Sequence, residues 1–473
     1  MRWFLPFLLL SRGFAQEVDP AAFAAEVRRF AQVYALVESH AAEKIDGKAA
    51  FENGALPGAM RKLDPHSVFF NKDQFEQLRE MQTSTQKGFG SVVSVLPGRV
   101  ILLQTLPGSP SERAGLSPGD EIIAINGIAL SRFDIEQMVE YLGYTRQREA
   151  LLTVRRENFP RPLEFRLSPA SLNSPSVERA FALEEGIGYI RVASFESKTG
   201  KDFEQAVEKL GGESLRGVVV DLRNNPGGVF TSALEMAALF LPPGTTITSI
   251  RGRARPEEVI RVPEKTSRSY GFPVTILVNE KSASASEVFT AALQEHGRAT
   301  VYGQRTYGKG LVQSVFPLAG NTGMALTTAY YYTPKGRSLQ RKLKEAQIDP
   351  TLNPGAGGLA PDVGVVPPPP TRLQYFLDGN AVFTAYASEW AKRNPKPAED
   401  WQLPLQELDR LRTWLGEKNV FPTLADWNRD RDWMRHRLEQ EILNLSVGVE
   451  RGDEVEIRND RTVLAAWEKL RQP

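Results

Sequence analysis

Two short stretches, Asn279-Glu-Lys-Ser-Ala-Ser-Ala-Ser-Glu287 and Tyr307-Gly-Lys-Gly-Leu-Val-Gln313, set a cluster of serines close in sequence to a lysine held between glycines. A hydroxyl and an amine in such proximity can carry out acyl transfer, provided that a base takes the hydroxyl proton. The chain offers four histidines, His40, His66, His296 and His436. His296 closes the helix that Ser284 would begin, roughly 18 Å away at ~1.5 Å per residue, and is out of reach. Lys309 is the better base. It must act as a neutral amine, so its pKa has to fall from ~10.4 to near 7, a differential of about 4 to 5 kcal/mol that requires a dry, enclosed site.

The surrounding pattern supplies elements to hold these groups. The apolar run Pro273-Val-Thr-Ile-Leu-Val278 reads as a strand entering the serine cluster, and Ser286 to His296 is patterned as a helix. A serine between them sits at a helix N-terminus, where orphan N–H groups and the helix dipole stabilise an anion on a neighbouring carbonyl. The strand Ala299-Thr-Val-Tyr302 returns the chain through the sheet, and Gly308 and Gly310 allow the backbone around Lys309 to approach closely. Upstream, Gly188-Tyr-Ile-Arg-Val192 and Gly217-Val-Val-Val-Asp-Leu222 read as doubly buried strands, alternating with helix-patterned Lys201 to Leu210 and Thr231 to Leu241. That alternation implies crossover units on a largely parallel sheet. Arg223-Asn-Asn-Pro-Gly-Gly228 lacks the lysine and spacing of a phosphate-binding loop.

The Ser-Ala-Ser-Ala-Ser-Glu run, Gly308-Lys-Gly310, Gln313 and Asp221-Leu-Arg-Asn-Asn-Pro-Gly-Gly228 together resemble the carboxy-terminal (tail-specific) processing proteases, Ser/Lys peptidases with an inserted PDZ domain. The resemblance spans about residues 50 to 366. It implies Ser284 as nucleophile, Lys309 as general base, Gln313 as the residue orienting the lysine, and an oxyanion hole from the N–H of Ala285 with one of Gly227 or Gly228. Gly108-Ser-Pro-Ser-Glu-Arg-Ala-Gly-Leu-Ser-Pro-Gly-Asp-Glu-Ile-Ile-Ala-Ile-Asn-Gly127 resembles a PDZ domain, which adds an extended peptide as an extra strand and captures its carboxylate on a glycine-containing loop. Gly88-Phe89-Gly90-Ser91 is the expected loop. Tyr141-Leu-Gly-Tyr-Thr-Arg-Gln-Arg148 departs from the pattern, lacking the usual glycine-rich turn after the PDZ helix.

The expected fold class is therefore α/β (multi-domain α+β), with a crossover protease core on a mainly parallel sheet, an inserted PDZ half-barrel, and helical N- and C-terminal regions. The expected divisions are a signal peptide at 1–15, an N-terminal helical region at 16–85, the PDZ domain at 86–170, the Ser/Lys core at 171–366 and a C-terminal helical region at 371–473, after the stiff linker Pro367-Pro-Pro-Pro370. Leu326 to Arg337 reads as a strand and turn, and Pro361-Asp-Val-Gly-Val-Val366 as the strand that ends the core. At 473 residues, two to four domains are expected, and 41% hydrophobic residues suffice for packed cores.

A net charge of +1 gives no electrostatic case for nucleic acid or an anionic membrane as partner. The absence of cysteine excludes disulfides and thiolate metal sites, and four scattered histidines argue against zinc, so neither a metal nor another cofactor is expected. Met-Arg-Trp-Phe-Leu-Pro-Phe-Leu-Leu-Leu10 followed by Gly13-Phe-Ala15 fits a secretory signal peptide. Its apolar run is far short of the ~20 residues that span a bilayer. Export to a bacterial periplasm or cell envelope is expected, with no integral span after cleavage.

Glu287, three residues past Ser284, makes a capping-box partner, and Glu295, about three helical turns away, has a cap or surface role; both are structural rather than catalytic. Leu63-Asp-Pro-His-Ser67 is shared with the family and reads as a turn between helices. Six of the seven tryptophans lie between Trp390 and Trp467, which suggests a separately packed helical piece that covers the core or joins two chains in a homo-oligomer. The expected function is a serine endopeptidase that binds apolar C-terminal tails of proteins and cleaves near the C-terminus through an acyl-enzyme. The alternative is a catalytically silent PDZ adaptor that presents tails to another protease.

Overall fold

The computed structural model describes residues 20–472 except 45, 65, 84–86, 97, 107, 157–158, 172–174, 266–268, 342–356 and 399–400. The expected signal peptide lies outside the described residues. The chain divides into two compact units, Met1–Gln82 with Ser176–Gly364, and Thr83–Pro175 with Val365–Pro473.

The first unit is built on a six-stranded sheet whose strands are β1 (Val177–Glu184), β2 (Ile187–Val192), β3 (Gly217–Asp221), β4 (Val274–Val278), β5 (Ala299–Gly303) and β6 (Val363–Gly364), in that spatial order. Only β1 and β2 are antiparallel; every later neighbour pair is parallel. All five residues of β3 and all five of β4 are buried, which is why these runs are apolar without alternation. Helix α1 (Thr199–Leu210) turns Phe203, Ala206 and Val207 inward, and α2 (Phe230–Ala238) does the same with Ala233, Met236 and Ala237. Both faces join one core with the strands and with α3 (Ala285–Glu295).

A mainly parallel sheet describes these six strands alone. A second, five-stranded sheet in the same unit joins Val68–Phe70, Thr246–Gly252, Arg255–Arg261, Leu311–Leu318 and Thr322–Tyr332, and all its pairings are antiparallel. Two of its connections, Arg253-Ala254 and Ala319–Asn321, are far too short for a parallel crossover. The N-terminal segment is helical over Pro20–His40, Leu56–Arg61 and Lys72–Thr83, but Val68–Phe70 is a strand paired with Thr322–Tyr332. Three residues are too few to declare a period in the sequence.

In the second unit, the antiparallel strands Ser91–Leu96, Arg99–Thr105, Glu121–Ile125, Ala150–Arg155 and Leu163–Leu167 lie in that order, leaving Ser91–Leu96 at an edge. Helix Ile135–Thr145 opens on a capping box between Asp134 and Gln137. It needs no glycine-rich turn to finish, because the Arg146 N–H donates to the Leu142 carbonyl and the Thr145 hydroxyl to that of Tyr141. The C-terminal region is helical, and its longest helices are Val382–Arg393, Gln406–Glu417 and Arg431–Ser446. The region packs on the half-barrel: Val449, which opens the further helix Val449–Asn459, is buried with Leu96, Ile101 and Leu103, and the Ser94 hydroxyl meets Thr384 Oγ1 of Val382–Arg393 at 3.2 Å. Among the described residues no helix is long and apolar enough to cross a membrane.

Candidate active site

Sheet topology brings the candidate residues together. The carboxyl ends of three adjacent parallel strands lead into the three loops of interest: β3 into Leu222 to Gly228, β4 into Asn279 to Ser284, and β5 into Gln304 to Gly310. This edge of a parallel sheet is where ligands bind in open α/β folds.

The three clustered serines are not equivalent. Ser282 and Ser286 are fully buried, and each donates its hydroxyl to a backbone carbonyl of the β3 loop, Ser282 to Leu222 at 2.7 Å and Ser286 to Asn225 at 3.2 Å. Ser284 is only partly buried, and its hydroxyl proton has no acceptor among the described residues. Its backbone sits at φ 55°, ψ −114°, a conformation sparsely populated by non-glycine residues. Such local strain, on the order of 1–3 kcal/mol, persists only where neighbours enforce it. Here α3 starts directly after Ser284, so the Ala285 N–H is an orphan donor of the first turn and has no acceptor among the described residues.

The β3 loop lies against this turn. The Asn225 carbonyl accepts from the Ala283 N–H at 3.0 Å, while its fully buried amide donates to the Val192 carbonyl and accepts from the Gly227 N–H, both at 2.8 Å. A Cβ on Gly227 would stand 2.8 Å from Ser284 Cβ and 2.9 Å from the Ala285 nitrogen, so only glycine permits this approach. Gly227 thus spends its N–H on Asn225. Gly228 forms a parallel bridge with Phe195 through the Gly227 carbonyl and the Val229 N–H, which leaves the N–H of Gly228 itself without an acceptor among the described residues. Of the two glycines expected to supply a donor, Gly228 is the one with a free N–H. Below the loop, fully buried Asp221 pairs with Arg223 at 2.6 Å and accepts from the Tyr189 hydroxyl at 2.8 Å.

Glu287 is the capping residue expected, and it does more. One carboxylate oxygen accepts from the backbone N–H of Ser284 and of Lys309, each at 2.9 Å; the other accepts from the Gly308 N–H at 2.8 Å and from the Thr306 hydroxyl. A single fully buried carboxylate therefore ties the Ser284 turn to the Lys309 loop. Burial pushes its pKa up, against the opposing pull of these four hydrogen bonds.

Lys309 is partly buried, and among the described residues its Nζ makes no hydrogen bond or ion pair, with Ser284 Oγ included. The structure does not bring Gln313 to it. The Gln313 amide instead donates to the His66 carbonyl at 2.6 Å. The Asp64 carboxylate accepts from the N–H groups of His66 and Ser67 and from the Ser67 hydroxyl. Glu295 accepts from the Lys335 N–H and pairs with Arg337 at 3.1 Å, at the far end of α3.

In the half-barrel, Gly88, Phe89, Gly90 and Ser91 border a groove of about 550 Å³ between the edge strand and helix Ile135–Thr145. The carbonyls of Phe89 and Gly90 are taken by the N–H groups of Ser111 and Leu106, and the Ser91 and Ser111 hydroxyls meet at 2.6 Å. The N–H groups of Phe89 and Gly90 have no acceptor among the described residues. The sequence assigns Asn225 no role of its own; it stands there only within the run Asp221 to Gly228, just before Pro-Gly-Gly.

Residues 186–353 match the model of Peptidase family S41, and residues 104–156 match the PDZ domain. The fold and these matches define a serine-type peptidase that carries a PDZ domain. A carboxy-terminal-processing protease of Bartonella bacilliformis is 31% identical over 354 residues, covering 74% of this chain and 77% of its own. The carboxy-terminal processing protease CtpB of Bacillus subtilis is 30% identical over 327 residues, covering 68% and 66%. The chain belongs to peptidase family S41, with the carboxy-terminal processing proteases. A solved photosystem II D1 C-terminal processing protease is similar at a TM-score of 0.44 and 24% identity, over 72% of this chain and 93% of its own.

Proposed function

We propose that this peptidase works through Ser284 and Lys309, cleaving proteins near their C-termini after its PDZ domain has taken hold of an apolar tail. Neutral Lys309 removes the Ser284 proton as the hydroxyl attacks the scissile carbonyl. The oxyanion is received by the N–H groups of Ala285 and Gly228, and the amine leaves with a proton returned from the lysine. Water then hydrolyses the acyl-enzyme. The tail adds to the edge of Ser91–Leu96, and its carboxylate is held by the N–H groups of Phe89 and Gly90. Gln313, whose amide donates to the His66 carbonyl in this structure, would orient Lys309 only after leaving that partner as the site closes. Chain export, carried by residues 1–15, delivers the enzyme to the periplasm or cell envelope.

The observation that carries this reading is the selection of one serine out of three. Among the described residues Ser284 alone of the three keeps its hydroxyl proton unaccepted, beside two N–H groups without acceptors, while Glu287 links its backbone to that of Lys309. That Lys309 Nζ has no partner among the described residues supports a free enzyme that rests inactive, with closure on substrate completing the pair.

The test is digestion of an unfolded protein with an apolar tail by the purified full-length chain. Ser284→Ala and Lys309→Arg should each lower kcat by about 10³-fold or more, since arginine retains charge but cannot lose its proton. Retained turnover in Lys309→Arg removes the lysine as base. Tail binding without any cleavage by the unaltered chain would favour the adaptor instead.

A further inference from the structure

A lysine amine sits at the end of a flexible four-carbon stem, so a protein can aim it in advance only by fixing the backbone that carries it. Around Lys309 that backbone is held by side chains on both sides. Glu287 takes the N–H groups of Gly308 and Lys309, and the N–H of Gly310 donates to Oε1 of Gln340 at 3.0 Å. Gln340 is fully buried, and its amide nitrogen donates to the Arg341 carbonyl at 2.9 Å, which fixes the end that faces Gly310. The carbonyls of Gly308 and Gly310 accept in turn from the N–H groups of Arg341 at 2.9 Å and Tyr331 at 2.7 Å.

The glycines beside the lysine show how closely residues 339–341 pass. Gly310 has no positive φ, so conformational freedom does not explain it; a Cβ there would stand 2.5 Å from the Gln340 nitrogen and 2.7 Å from Leu339 Cβ. A Cβ on Gly308 would stand 2.9 Å from Arg341 Cβ. Peptide groups are planar, so the Lys309 N–H fixes the plane before the lysine Cα and the Gly310 N–H fixes the plane after it. Holding one plane leaves the other to turn. Holding both sets φ and ψ of Lys309, and with them the direction in which its Cβ leaves the chain.

From this geometry we infer that Gln340 is a positioning residue for Lys309, completing with Glu287 the frame from which the amine is aimed at Ser284. Gln313 gives its amide to the His66 carbonyl in this structure, and Gln340, 30 residues past Gly310, is the glutamine that touches the lysine loop. The inference rests on the Ser/Lys mechanism proposed above and adds a residue to it.

The experiment reads serine activation directly. A fluorophosphonate forms a bond from Ser284 Oγ to phosphorus and expels fluoride while Lys309 takes the serine proton, so its second-order rate constant on the full-length chain, with a saturating decapeptide ending in Val-Leu present, reports the pair. Gln340→Met keeps the length of the side chain without its amide, and should lower this constant and kcat about 10- to 100-fold, the range for a reacting group displaced by about 1 Å. KM for an apolar-tailed protein should change less than about twofold. Gln340→Glu keeps an acceptor facing Gly310 and should stay within about fivefold of the parent. In a Lys309→Ala background, Gln340→Met should change phosphonylation less than about twofold, since its effect passes through the lysine. Equal losses in both backgrounds, or Gln340→Glu as slow as Gln340→Met, overturn the inference. If Gln340→Met fails to melt cooperatively, Gln340→Asn, whose shorter side chain withdraws the acceptor, takes its place with the same expectations. Phosphonylation undiminished in Lys309→Ala sinks the Ser/Lys mechanism and this inference with it, whereas a rate lost in Lys309→Ala but kept in Gln340→Met sinks this inference alone.

Discussion

At the carboxyl edge of the six-stranded sheet, three loops are joined by two buried polar residues, Glu287 through its carboxylate and Asn225 through its side-chain amide and its backbone carbonyl. Asn225 connects β2, the glycine loop and the serine turn, and Glu287 connects that turn to the lysine loop. In the PDZ groove, among the described residues, no polar side chain joins the edge strand to the helix, and the Tyr141 hydroxyl ties that helix to the Ile125 carbonyl at 3.1 Å. The groove's shape comes from apolar side chains on one strand and one helix, with N–H groups left open along the glycine loop. Under the roles proposed above, the difference follows from what each region would hold. Stabilising a charge that appears only in a transition state requires donors fixed in advance, since any reorganisation adds to the barrier. An extended tail brings its own backbone hydrogen bonds and needs only a free edge and room for side chains.

If the edge of the sheet is pre-set in this way, cutting one tie should damage catalysis far more than tail capture. Asn225→Ala should have the largest effect. It leaves the Val192 carbonyl and the Gly227 N–H buried and unpaired, at about 1–3 kcal/mol each. It also frees the loop that carries Gly228, so kcat should fall about 10²- to 10³-fold, the cost of losing an oxyanion donor. KM for an apolar-tailed substrate should change less than about twofold, because it reports uniform binding. Steady-state kinetics with a thermal melt decides the matter; a kcat within about threefold of the parent would show the glycine loop to be set by something else.

Glu287→Gln is the next step down. The amide keeps one acceptor oxygen but turns its NH2 group toward donors that have no other partner, at about 1–3 kcal/mol. The Lys309 loop should loosen relative to the serine turn and lower kcat by about 10- to 100-fold, with tail affinity unaltered. A variant that melts earlier but turns over at the parental rate would reduce Glu287 to a helix cap and nothing more.

This contrast also explains what could be read in advance. Ser284, Lys309 and the two glycines stand out as candidates because a hydroxyl, an amine and glycines fall at short spacing, and the strands that lead into the glycine and serine loops, Gly217–Asp221 and Val274–Val278, announce themselves as unbroken apolar runs. The ties do not. The Ala283 N–H reaches the Asn225 carbonyl across 58 residues and Gln313 reaches His66 across 247, and neither leaves a local pattern. Glu287 was recognised by its three-residue offset from Ser284, but its bonds to Thr306, Gly308 and Lys309 depend on how β5 lies beside β4. The antiparallel second sheet was missed because the hairpins that build it have weakly alternating strands, such as Leu311–Leu318 with its largely exposed residues. The C-terminal helices show the same limit. Their apolar faces were plain, but their partner, the PDZ half-barrel, lies more than 200 residues earlier in the chain.

That partner offers the mildest test. Along the edge strand Ser91–Leu96, Val93 and Val95 face the groove, while Val92, Ser94 and Leu96 face the C-terminal helices. The two sides of one strand thus share its order: packing behind it fixes the edge on which a tail would pair. Val449→Ala removes two buried methyl groups behind the strand and should cost about 1–2 kcal/mol, with little room for the pleated sheet to collapse into the gap. Tail affinity should fall about two- to fivefold, since the strand must then be ordered on binding. Hydrolysis of short peptides without an apolar tail should be unchanged. An equal loss on both substrates would mean that the helices support the whole chain, whereas a loss confined to tailed substrates makes the region from Arg372 onward a brace for recognition and separates it from the chemistry at Ser284.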